Sequence, residues 1–128
     1  MMGSLKTIAL VVILAAGPAM AGQKERDALS LRFATCLGRY SAQISHAYLM
    51  RRDAGEAEHR QRAFAALLDA TRPGAFSPAE IMAQRIDAKM RFAALLQIAE
   101  FHTDPRRADR AARLIRRHLN GCATLVLG

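Results

Sequence analysis

The sequence predicts an all-α fold: a small antiparallel four-helix bundle closed by one disulfide and preceded by a signal peptide. Three observations predict it. Apolar residues recur at three- and four-residue spacing through four segments, and helix-breaking clusters separate those segments. The two cysteines, Cys36 and Cys122, stand one near each end of the chain beyond the leader. No stretch keeps the two-residue alternation of a half-buried strand, so no sheet is expected.

The leader has three parts. Lys6 supplies a positive charge, residues 8–16 are an unbroken apolar run, and Gly17-Pro18 breaks it. Ala19-Met20-Ala21 then offers the small side chains that a signal peptidase accepts, so the expected cut lies after Ala21, with Gly22 as second choice. The unbroken run over residues 8–16 is shorter than the roughly 20 residues that span a bilayer core, which disfavours a membrane anchor. Residues 22–128 are left as one helical domain, of ordinary size.

The first helix is expected over residues 24–52. Leu29, Phe33, Cys36, Leu37, Tyr40, Ile44, Ala47 and Tyr48 form one apolar stripe, with Arg26, Arg32, Arg39 and Ser45 off it. Asp53-Ala54-Gly55-Glu56 reads as a break with a new cap. The second helix is expected over 54–71, with Ala57, Phe64, Leu67 and Leu68 inward, and Arg72-Pro73-Gly74 ends it.

The third start is the clearest local signal. Ser77 is the cap, Pro78 takes the first helical position, and Glu80 can close a capping box, with Phe76 and Ile81 placed as a hydrophobic staple. This helix should reach about His102, and its second half, residues 90–99, is apolar on most sides. Such a helix is central in a domain, or it meets a partner as well. Asp104-Pro105 opens the fourth helix, where Ala108, Ala111, Ile115, Leu119 and Cys122 share a face. Asn120-Gly121 is its expected stop, and a short apolar tail occupies 123–128. Short connections favour antiparallel neighbours in a ring, with the first helix tied to the end of the fourth.

An even cysteine count in an exported chain reads first as a disulfide. Closing so long a loop restricts the unfolded chain by about 4 kcal/mol. Buried free thiols or a two-cysteine metal site are the alternatives, but there is no C-x-x-C and no further thiol to complete a zinc shell. Gly38 sits inside the first helix, at a cost of up to about 1 kcal/mol relative to Ala. Room for the disulfide and the fourth helix accounts for it; a shallow groove with Arg39 and Tyr40 at its lip is the other account.

The chain carries a formal net charge of +8. Its cations are arginines apart from Lys6, Lys24 and Lys89, and arginine grips carboxylate and phosphate with a bidentate fork. Arg106, Arg110, Arg113 and Arg117 recur at helical spacing, with Arg107 and Arg116 beside them. Arg116, Arg117 and His118 suit the negative end of a helix dipole, whereas Arg106 and Arg107 oppose the positive end. The candidate anion or partner site is therefore Arg106, Arg107, Arg110, Arg113 and Arg117, facing an acidic protein or an anionic lipid surface. The alternative is a solvated face paired with Glu100, Asp104 and Asp109. Nucleic acid is the least favoured anion, because no aromatic residue interleaves with the strip and the expected compartment is extracytoplasmic.

Chemistry is harder to find. His46, Met50 and His102 are the candidate metal ligands, but no H-x-x-x-H pair, HExxH or methionine cluster supports them, and no metal site is assigned. The absence of C-x-x-C-H excludes attached haem. There is no G-x-S-x-G, P-loop or G-x-G-x-x-G. Ser41, Ser45 and His46, and the acids Glu56, Glu58, Asp87 and Glu100, meet only through packing. No catalytic residue or cofactor is assigned. The leading expectation is a non-catalytic secreted or periplasmic binding protein with a basic face. A periplasmic metal or small-ligand carrier comes second, and a hydrolase with a fold-assembled site third.

Overall fold

A computed structural model describes residues 17–71 and 74–127 of the chain. Lys6, the apolar run, Arg72-Pro73 and Gly128 lie outside the described residues. The described part is all-helical: α1 (Gly17–Leu49), α2 (Gly55–Thr71), α3 (Pro78–Phe101) and α4 (Pro105–Leu127), with no strand among the described residues.

Helix α1 starts at Gly17 rather than at residue 24. Pro18 is compatible with that start, because a first turn has no intrahelical acceptor for the N–H that proline lacks. The expected cleavage point therefore falls within α1. The far end comes earlier than expected, at Leu49, through a Schellman motif. The amides of Arg52 and Arg51 donate back to the carbonyls of Ala47 and Tyr48, at 2.8 and 3.2 Å. Arg51 takes φ of 53°, the left-handed position that glycine normally fills.

The caps are those the sequence implied. The amide of Gly55 donates to Asp53 Oδ1 at 2.9 Å, and that of Arg106 to Asp104 Oδ1 at 3.0 Å. Ser77 and Glu80 form the full capping box ahead of α3. The stop expected at Asn120-Gly121 is absent. Gly121 has no positive φ, and α4 runs on to Leu127. Leu119 and Leu125, on either side of that glycine, pack against the main core cluster, and Cys122 between them is wholly buried. Tertiary contact holds the helix through a weak residue.

The helices do not form the expected ring. Helix α1 is the hub, with α2 on one side and α3 on another, and α4 packs mainly on α3. No Cα of α2 comes within 8 Å of one in α3 or α4 among the described residues. Pairs such as Thr35 with Gln84 and Arg52 with Glu100 show that α1 and α3 run parallel. In an up-down ring those two helices would be diagonal. Here Gly38 brings them together: a Cβ on it would overlap the Arg85 carbonyl oxygen and lie 3.0 Å from both Ala88 Cβ and Lys89 N. The room at Gly38 thus serves α3, not the disulfide and α4.

Two clusters fill the interior. Phe33, Leu37, Tyr40 and Phe64 surround the disulfide between α1, α2 and α4, with the Tyr40 and Phe64 rings stacked at 5.7 Å. Ala42, Phe92 and Leu96 form the second, between α1 and α3. The Cys36–Cys122 disulfide, with Cα atoms 5.7 Å apart, supplies a covalent link where α1 and α4 otherwise touch little. No helix among the described residues is long and apolar enough to cross a membrane.

Candidate functional site

Helix α4 separates its side chains sharply. Ala111 and Cys122 are buried on the inner face, flanked by half-buried Ala108, Ile115 and Leu119. Arg106, Arg110, Arg113 and Arg117 project from the opposite face, along about 16 Å of helix. Arg107 is exposed beside them. None of the five lies within 4 Å of a carboxylate among the described residues. The neutralising partners considered for the strip are otherwise engaged or apart: Glu100 is held by Arg52, and Asp104 caps α4.

The strip adjoins an apolar surface. A cleft of about 290 Å³ is lined by Leu95, Ile98 and His102 from α3 and by Arg107, Arg110 and Leu114 from α4. The outer face of α3 is apolar as well, also beyond the stretch 90–99 that the sequence marked as apolar on most sides. Ile81, Ala88, Phe92 and Leu96 take the inner face. Met82, Ile86, Met90 and Phe101 face outward, at 48, 53, 65 and 58 % exposure. Scattered exposed apolar residues are ordinary, but a row along one helix is not.

A second basic feature is Arg39, which the sequence placed off the apolar stripe and, as one account of Gly38, at the lip of a shallow groove. It projects between α1, α3 and α4, where its Nη1 donates to the His118 carbonyl oxygen at 3.4 Å and to Cys122 Sγ at 3.6 Å. Burial lowers the guanidinium pKa from its ordinary value. Burial first, then Arg39 and Arg117, hold the His118 imidazole below the usual histidine range. Gln84 Nε2 donates to Thr35 Oγ1 at 2.9 Å across the same groove. Tyr40, expected at the groove lip with Arg39, instead stacks on Phe64 and borders a different cleft, with Gln43 and Arg60.

The remaining candidates are dispersed. His46 Nε2 stands 3.8 Å from Glu100, whose carboxyl is held below the usual range first by hydrogen bonds from Arg52. They border a cavity of about 400 Å³ with Gln43 and Arg116. His102 Nδ1 instead accepts the Asp104 amide at 3.0 Å, as part of the turn into α4. Among the described residues no three of His, Cys, Asp and Glu gather as a metal site would require. Ser41 is buried and donates to the Leu37 carbonyl while accepting from Gln61 Nε2. Its hydroxyl is bound up in packing α1 against α2.

The fold and its surfaces define a small disulfide-linked helical protein with one basic and one apolar outer face. No protein-family model, no curated protein and no solved structure matches the chain.

Proposed function

We propose that the chain is an exported, non-catalytic binding protein whose α4 face docks on an anionic lipid surface. One observation carries this reading: Arg106, Arg107, Arg110, Arg113 and Arg117 are exposed together, with no carboxylate of the described residues within 4 Å of them. Guanidinium forks bind phosphate oxygens in pairs, and the summed field draws the protein to a negative surface. The apolar cleft beside the strip supports lipid over an acidic protein, because Leu95, Ile98 and Leu114, which share it with Arg107 and Arg110, gain by leaving water beside bound headgroups. Export is supported by the leader pattern and by the disulfide, which persists in oxidising compartments. On this reading residues 1–21 are removed and 22–128 act as a single domain.

Vesicle flotation tests it. The chain should float with vesicles rich in phosphatidylglycerol at low salt, float less as salt rises, and remain behind with neutral phosphatidylcholine. Equal flotation with both vesicle types would refute lipid docking through charge.

A further inference from the structure

We propose that the groove at Arg39, between α1, α3 and α4, binds a small amphiphilic carboxylate. The head would lie on the Arg39 guanidinium, and the apolar chain along the neighbouring helix walls. This site is separate from the basic face of α4 and does not depend on it.

The first ground is an uncompensated charge. Arg39 is half-buried, yet no carboxylate lies within 4 Å of it among the described residues. Its contacts are a carbonyl oxygen and a disulfide sulfur, both long. A guanidinium drawn partly out of water is stabilised when an anion joins it, and a carboxylate matches its fork with two parallel hydrogen bonds. The one acid bordering the groove, Asp87, sits at its rim and is held by Arg91 at 2.9 Å.

The second ground is space of the right character. Two adjoining cavities, of about 300 and 370 Å³, share Thr35, Arg39 and Gln84. Each alone reaches the size of an ordinary small-ligand site, which combines apolar walls with a few fixed polar groups. Ala88, Phe92 and Leu95 line one cavity together with the charged or polar Asp87, Arg91 and His118; Leu31, Cys36 and Leu125 line the other, where Arg32 is the one further charged group. The Thr35 hydroxyl and Gln84 amide are held to each other at the junction, next to Arg39. A polar end therefore belongs at the junction and an apolar tail in the arm lined by Leu31, Cys36 and Leu125.

The third ground is that the groove is built into the fold. Cys36 lines it and Cys122 touches Arg39, so the disulfide fixes α4 against α1 there. The close approach at Gly38, one residue from Arg39, fixes α3 against α1.

Isothermal titration of the disulfide-bonded full chain with decanoate, decanol and acetate tests the site. Decanoate should bind one to one, and at least about tenfold more tightly than decanol or acetate, because head and tail both contribute. Arg39→Gln should reduce decanoate affinity by about tenfold or more. Gln84→Glu should do the same while keeping the side-chain shape, since it sets a carboxylate beside Arg39; this variant keeps the test sound if Arg39→Gln fails to fold. The combined Arg106→Gln, Arg110→Gln and Arg113→Gln variant, which spares Arg117 beside the groove residue His118, should bind decanoate as the parent does. Decanol or acetate binding as tightly as decanoate, or full decanoate affinity in Gln84→Glu, would overturn the assignment.

Discussion

Gly38 of α1 faces the carbonyl of Arg85 in α3 so closely that a methyl group on it would overlap the oxygen. The atoms in the way are backbone and cannot swing aside. Ala is the better helix former by up to about 1 kcal/mol, yet overpacking a tight contact costs about 1–3 kcal/mol. Gly38→Ala is therefore expected to destabilise the protein by about 1–2 kcal/mol in urea denaturation. It should also loosen the Arg39 groove, whose α3 wall rests on this contact.

Arg51 gives the opposite case. Its φ of 53° is a left-handed conformation that L side chains adopt at a cost of about 1–2 kcal/mol, while glycine adopts it freely. Its side chain is exposed, so little packing is lost on removing it. Arg51→Gly is expected to raise stability by about 0.5 kcal/mol, after the greater freedom of glycine in the unfolded chain is subtracted. An unchanged or lower denaturation midpoint would mean that the side chain has a second role.

The disulfide closes a sequence separation of 86 residues. Cys36→Ser with Cys122→Ser is expected to cost about 4 kcal/mol, a large part of the stability of a domain of this size. Because α1 and α4 have little else between them, α4 should lose amide-exchange protection before α1 and α3 do.

Acid should weaken the fold in two windows. His118 is held below its ordinary value of 6.5, so the unfolded chain binds its proton more readily. The contribution is fully present above that pH, and it is lost as pH falls through 6.5 toward the folded value. The thermal midpoint should fall over that window, and His118→Gln should flatten the fall. Glu100, held down by Arg52, contributes above its ordinary value of 4.5 and loses that contribution below it. Arg52→Gln should flatten only this lower window.

The basic face is tested by neutralising it. An arginine near an anionic bilayer is worth about 1 kcal/mol, so changing Arg106, Arg110, Arg113 and Arg117 to Gln should weaken vesicle binding by about 100-fold or more. Circular dichroism should stay unchanged, because these side chains leave the core untouched.

Much of this protein was legible in one dimension. The capping box at Ser77 and Glu80, the cap at Asp104 and the inward face of Cys36 all came from neighbours a few residues apart. So did the separation of arginines from apolar residues on α4, since a helix maps spacing directly onto direction. The class of fold and the basic face emerge from such short-range rules.

Which helices touch does not. Gly38 announced a close approach but not its partner, and α3 took the place expected for α4. Gly121 carried the composition of a stop, yet burial of Cys122 and the packing of Leu119 and Leu125 held the helix through it. A groove at Arg39 was one account of Gly38, but only the packing of α3 and α4 enclosed the guanidinium with no carboxylate of the described residues within 4 Å. Local propensities are worth tenths to about 1 kcal/mol per residue, whereas each buried side chain contributes a few. Packing therefore decided the helix order, the length of α4 and the groove, and it alone gave Arg39 its surroundings.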